Sequence, residues 1–180
     1  EQFQQVEGGS TDMLAKLSST HPSEVRKLSA EELVQEGFAN VWRIFIKNEP
    51  HTATKLEQKR YRLIFSGSLV FNLVLRYLFT PQNHAEQERW DECPSKPGIG
   101  FDPEQCQRFL NGIAPHFPEG EVASADVSGW DWSVQGWDLE AEAYMRIRLD
   151  EIATGVSDPK FRNAVHNAFR CISLKCVMLS

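Results

Sequence analysis

Two periodicities run through this chain, one of about two residues and one of about 3.6, and together they predict a mixed α+β fold. The first ten residues read as a flexible polar lead, followed by a short helix over 12–18. Ser29, with Glu32 three residues later, has the form of a capping box and opens a helix to about Asn40, with Leu33, Val34, Phe38 and Val41 on one side. Arg43 to Lys47 alternates charged and apolar residues and predicts a strand ended by Pro50. A polar connection over 51–58 leads to a second strand over 61–65. Ser66-Gly-Ser then caps an apolar helix over 69–79, closed by Pro81, and 81–100 reads as loop. Asp102 and Pro103 begin a further helix that ends near Gly112, and 111–120 is turn-rich. A short strand is expected over 121–125 and a helix from Ser133 to about Ile152, whose stripe Trp137, Ala141, Tyr144, Arg148 and Ile152 is expected to pack. Gly155 and Pro159 break that helix; another covers 161–169, and 172–178 reads as a strand.

Composition narrows the function. At 180 residues with 41% hydrophobic positions the chain can bury a core. Its formal net charge of −6 argues against a general nucleic-acid binder. The charge is unevenly placed, however: 43–62 holds Arg43, Lys47, Lys55, Lys59, Arg60 and Arg62 against Glu49 and Glu57, a local balance of +4, and the rest sums to −10. A basic island in an acidic chain suits a phosphate site; a solvated charged loop is the plainer alternative.

Cys93, Cys106, Cys171 and Cys176 are spaced by 13, 65 and 5 residues, which fits no zinc pattern. They read as free thiols of a reducing compartment, with Cys106, Cys171 and Cys176 in apolar contexts. The five histidines are scattered, and nothing supports a nucleophilic triad. The polar start shows no signal peptide, and 69–79 is too short to span a bilayer. The first residue is not Met, as expected of a piece of a longer precursor or of a trimmed chain.

The most telling segment is Ala-Asp-Val-Ser-Gly-Trp-Asp-Trp-Ser-Val at 125–134. Asp126 and Asp131 stand five residues apart with Gly129 between them. A carboxylate at a strand end is a hard oxygen ligand for Mg²⁺, and a second one past a tight turn can reach another part of the same substrate. Metal-dependent phosphoryl and nucleotidyl transfer needs such a layout. Alone, the pair is a weak signal that more often marks a plain turn with a helix N-cap.

The context decides. The segment 125–134 resembles motif A of RNA-dependent RNA polymerases of positive-strand RNA viruses, most closely the sobemovirus and polerovirus group. Upstream and in the right order, Phe45-Ile-Lys-Asn-Glu-Pro and Lys59-Arg-Tyr-Arg-Leu-Ile-Phe-Ser-Gly-Ser resemble motif F, over 45–66. The resemblance covers roughly 38–180. It implies the fingers subdomain and first palm strand of a right-hand polymerase with an incomplete palm: 1–28 a lead, 29–120 fingers, 121–180 the start of the palm.

It also implies roles. Asp126, with the Val127 carbonyl, would ligate catalytic Mg²⁺ or Mn²⁺, and Asp131 would sense the ribose hydroxyls of the incoming nucleotide. Arg62 and Lys47 would meet the triphosphate, with Arg60 and Lys59 as flanking candidates and Arg60 favoured by sharing a strand face with Arg62. Lys55 would touch RNA template or triphosphate; for Lys55 and Lys59, plain solvated lysines fit as well. Trp130 and Trp132 read as packing residues first and base-stacking residues second. The implied partners are RNA template and nascent strand, ribonucleoside triphosphates, the rest of the polymerase and other viral replication proteins, in membrane-associated complexes of the host cytoplasm.

The sequence departs from the family in lacking motif B and the Gly-Asp-Asp of motif C, since Asp138, Asp150 and Asp158 stand in no such motif. The 180 residues are therefore expected to be inactive alone, with the strands near Asp126 and at 172–178 short of sheet neighbours and prone to self-association. A non-catalytic RNA-binding or assembly piece that needs a second polypeptide is the competing reading. An unrelated two-carboxylate hydrolase would have no use for the basic stretch.

Overall fold

The structure is a computed structural model that describes residues 2–50, 52–116 and 123–179, with the side chains of 2 and 3 left out. The chain forms a mixed α+β fold and divides into two compact units, Glu1–Leu78 with Gly136–Ser180, and Phe79–Gln135.

In the first unit, α1 (Gln2–Ser19) is one long helix. The lead expected over the first ten residues is helical from Gln2, because Met13 and Leu17 are buried and helix extends back from them. Next come α2 (Pro22–Val25) and α3 (Ala30–Gln35). The predicted capping box is present, with the Glu32 N–H donating to Ser29 Oγ and the Ser29 N–H to the Glu32 carboxylate. That contact holds the Glu32 carboxyl below its ordinary value. α3 ends five residues before the expected Asn40. Gly37 takes φ 75, and the N–H groups of Gly37 and Phe38 turn back to the carbonyls of Val34 and Leu33. This is a Schellman stop, and it buries Phe38 beside Leu33.

The strand β1 (Trp42–Ile46) lies at the centre of a three-stranded sheet. The short helix α4 (Ala53–Glu57) occupies the connection expected to be irregular, and β2 (Leu63–Ser66) returns antiparallel to β1. Trp42 packs edge-on against Phe71, and its ring lies so close to Gly67 that a Cβ there would stand 3.1 Å away.

The helix α5 (Leu69–Glu88) continues through Pro81, where the sequence predicted a stop. Proline removes the donor for the Tyr77 carbonyl, at a cost of about 3 kcal/mol inside a helix. Tyr77 is exposed, so solvent can take that carbonyl, and burial of Leu78, Phe79 and Trp90 offsets the rest. The second unit continues with α6 (Pro103–Ile113), capped as predicted by the Asp102 carboxylate on the N–H groups of Glu104 and Gln105. Arg108 lies over the buried Trp90 ring and pairs with Asp91, which holds the Asp91 carboxyl below its usual range.

The strand expected over 121–125 is not formed within the described residues: 123–127 has no sheet partner and is exposed, and 121–122 lie outside them. After it comes α7 (Trp130–Ser133), a single turn. Val134 is extended (φ −62, ψ 123), so α8 (Gly136–Thr154) starts three residues later than Ser133.

The stripe expected to pack on α8 is exposed, with Trp137 70%, Tyr144 62% and Ile152 71% accessible; Ala143 and Ile147 are buried instead. Apolar residues surround this helix, so its period singles out no face. α9 (Pro159–Ser173), packed by α1, α2 and α8, buries Ala164, Val165, Asn167, Ala168 and Cys171. The Cys171 Sγ–H points to the Phe38 carbonyl at 3.5 Å, and burial pushes its thiol up to about 12. All four cysteines are free thiols.

The strand β3 (Val177–Leu179) pairs in parallel with β1, Trp42 opposite Val177. It is shorter than expected because α9 holds 172 and 173. The expectation that it would lack a neighbour is overturned, since the Trp42 N–H donates to the Cys176 carbonyl at 2.9 Å where the pairing begins.

Candidate functional site

The basic residues gather on the β1–β2 hairpin and on α4 between its strands. Arg43 opposes Ser66 and Ile46 opposes Leu63. Lys47 and Arg62 continue this register, joined by the Lys47 N–H donating to the Arg62 carbonyl at 2.8 Å. Opposed residues of an antiparallel pair share a face, so both long cations emerge on the face that carries Arg43 and Phe45. The Lys47 ammonium also meets the Glu49 carboxylate at 2.6 Å, which neutralises part of its charge.

Lys55 sits in α4. Lys59 follows that helix with φ 53, and the N–H groups of Lys59 and Arg60 return to the carbonyls of Leu56 and Lys55. This helix stop normally uses glycine. It removes Lys59 from any strand face and sends Arg60 on toward Arg62. Residues 52–63 are exposed throughout, and among the described residues Lys55, Lys59, Arg60 and Arg62 form no ion pair.

The carboxylates lie in the second unit. Asp126 and Val127 are on the exposed segment before the turn, and Gly129 takes φ 66. A side chain at that φ would be strained, so glycine is what allows the chain to reverse there. Asp131 then falls in the first turn of α7, where a helix favours negative charge. Trp130 and Trp132 are exposed by 62% and 70%, so neither indole is buried as the sequence led one to expect. As a Mg²⁺ site the set fits in kind, being hard oxygen, but not in number: among the described residues no three His, Cys, Asp or Glu side chains converge.

Sequence reading missed a second cationic cluster. Arg26, at the end of α2, meets Arg162, His166 and Arg170 of α9 around two cavities. Its only signal was the spacing of four between 162, 166 and 170, which puts those residues on one helix face. Burial, then Arg26 and Arg162, hold the His166 imidazole below its ordinary value, with Glu140 acting the other way. No described helix is long and apolar enough to cross a membrane.

A family model described as viral RNA-directed RNA polymerase matches residues 4–151. The chain belongs to that polymerase family. It is 38% identical over 173 residues to the replicase polyprotein P2AB of Southern cowpea mosaic virus, covering 96% of this chain and 17% of that protein. It is 38% identical over 178 residues to protein P1-P2 of Potato leafroll virus, covering 90% of this chain and 16% of that one. Over 122 residues it is 38% identical to the RNA-directed RNA polymerase of Mushroom bacilliform virus, covering 68% and 29%. The resemblance to sobemovirus and polerovirus replicases therefore holds, and the chain spans less than a third of the length of these relatives. No solved structure matches it.

Proposed function

We propose that these residues form the fingers region and the beginning of the palm of an RNA-directed RNA polymerase, with 1–28 as lead, 29–120 as fingers and 121–180 as palm. The observation that carries the reading is the hairpin. It brings Lys47 and Arg62 onto one face, beside Lys55, Lys59 and Arg60, in a chain whose family is viral polymerase. A cluster of exposed cations with Arg62 at its end can grip a triphosphate by the guanidinium fork. Asp131, past the Gly129 turn, can accept a hydrogen bond from a ribose 2′-hydroxyl.

Asp126, with the Val127 carbonyl, would hold a Mg²⁺ or Mn²⁺ ion together with ligands from elsewhere in the polymerase. Such an ion would supply Lewis-acid chemistry at the phosphate oxygens and the attacking hydroxyl. The reaction adds a ribonucleoside monophosphate to an RNA 3′ end and releases pyrophosphate. Since no three His, Cys, Asp or Glu side chains converge among the described residues, this reading expects no polymerase activity from these 180 residues by themselves.

The test is Asp126→Ala in the intact polymerase. Asp126 is exposed, so the fold should survive, as circular dichroism will report. Primer extension should fall well below about a tenth of wild type, because a ligand that acts on the transition state is gone. Retention above that level sinks the assignment.

A further inference from the structure

The face formed by α2, α8 and α9 carries two adjoining cavities outside the basic hairpin. One of about 190 Å³ is lined by Arg26, Trp137, Glu140, His166, Phe169 and Arg170 among others. The other, of about 470 Å³, is lined by His21, Ser23, Arg26, Pro159, Arg162 and His166 among others. Arg26 and His166 wall both, so the two form one continuous surface.

Three guanidinium groups meet two carboxylates there. Arg26 reaches Glu140 at 3.2 Å, and Arg162 reaches Glu151 at 3.9 Å, though Glu151 is already engaged by Arg148. Arg170 donates to the Arg26 carbonyl at 3.2 Å while its buried Nε has no acceptor. Asp158 is occupied in capping α9, on the Lys160 N–H. A net positive charge remains, facing cavities open enough for an anion. Arg162 and Arg170 are eight residues apart on α9, about 12 Å along the helix, which leaves room for more than one phosphate. At the rim stands Trp137, whose exposed indole offers an apolar plane.

Guanidinium groups in series with an exposed aromatic plane match a nucleic-acid single strand, with phosphates on the cations and a base stacked on the ring. We propose that this face binds single-stranded RNA, with Arg26, Arg162 and Arg170 on backbone phosphates and Trp137 under a base. This contact is separate from the nucleotide role of the hairpin.

The experiment is fluorescence polarisation of the full chain with a short labelled oligouridylate over a series of salt concentrations. Wild type should bind. Arg162→Glu should weaken binding about fivefold or more and reduce the salt slope by about 0.7, one phosphate contact on a single strand. Trp137→Ala should weaken it about tenfold with the slope unchanged, as expected for a lost stack. Both side chains are exposed, and circular dichroism will confirm folding; Arg162→Lys should retain the wild-type slope. The effects should persist in an Arg60→Ala/Arg62→Ala background, which separates this face from the hairpin. The proposal is overturned if wild type does not bind, if Arg162→Glu and Trp137→Ala bind like wild type, or if uridine triphosphate displaces the strand at equal concentration. The last result would assign the site to free nucleotide. The polymerase reading fails independently, on the Asp126 variant.

Discussion

Lys47 and Arg62 face each other across the end of the β1–β2 hairpin, tied by a backbone hydrogen bond of 2.8 Å from the Lys47 N–H to the Arg62 carbonyl. Lys47 is paired with Glu49; Arg62 has no such partner among the described residues. The same ribbon thus presents one compensated and one uncompensated cation, and the uncompensated fork is the better phosphate ligand. In the intact polymerase Arg62→Lys should keep the charge and lose the two-pronged contact. The apparent KM for nucleotide should rise about tenfold, with RNA affinity changed much less. Equal weakening of both would move Arg62 to the template.

Lys59 holds φ 53 at the stop of α4, a position glycine normally fills. A left-handed non-glycine residue costs about 1–2 kcal/mol, and glycine returns part of that through its freer unfolded chain. Lys59→Gly should therefore stabilise the chain by roughly 0.5–1 kcal/mol, read as a higher urea midpoint. A lower midpoint would mean that the lysine side chain contributes contacts that outweigh the backbone strain.

Much of this was legible in the sequence, for definite reasons. Ser29 with Glu32, Asp102 with Pro103, and Gly155 before Pro159 are local signals, and each marks the end of an element it was expected to mark. The β1–β2 pair showed in its alternation. What failed depended on long-range packing. The helix α5 passes Pro81 because the lost carbonyl partner falls on an exposed side, which no local pattern reveals. The buried face of α8 is Ala143 and Ile147, while the larger Trp137 and Tyr144 stay outside, because apolar residues surround that helix. At the candidate site, Gly129 announced its turn, but no strand precedes it among the described residues, since 123–127 finds no partner. Of the cluster of Arg26 with α9 only the spacing of four on α9 showed, because Arg26 lies more than a hundred residues away.

Asn167 is the one fully buried polar side chain of the described core, and its Nδ2 donates to the carbonyls of Leu17 and Thr20, both at 2.9 Å. Asn163 adds a bond to the Ser18 carbonyl at 3.2 Å. These are the carbonyls that the end of α1 leaves without helical donors, so α9 caps α1 through two asparagines one turn apart. Asn167→Leu should leave the Leu17 and Thr20 carbonyls without their donor, at a cost of about 2–3 kcal/mol. Hydrogen exchange should show the last turn of α1 opening. A loss below about 0.5 kcal/mol would mean that water replaces the amide there.

His166 supplies the pH dependence. Burial and the charges of Arg26 and Arg162 hold its folded pKa below the ordinary value, and Glu140 offsets only part of this. The unfolded chain therefore takes up the proton first as pH falls. The contribution to stability is whole above the ordinary imidazole pKa of about 6.5. It declines as pH drops from there toward the folded value, and no further loss follows below it. In urea unfolding, wild type should lose stability between pH 7.5 and 5.5, and His166→Gln should lose less over the same span. All other ionisable groups are common to the two proteins, so the difference isolates His166. An identical loss in the two would show that the imidazole takes up its proton as readily in the folded chain as in the unfolded one.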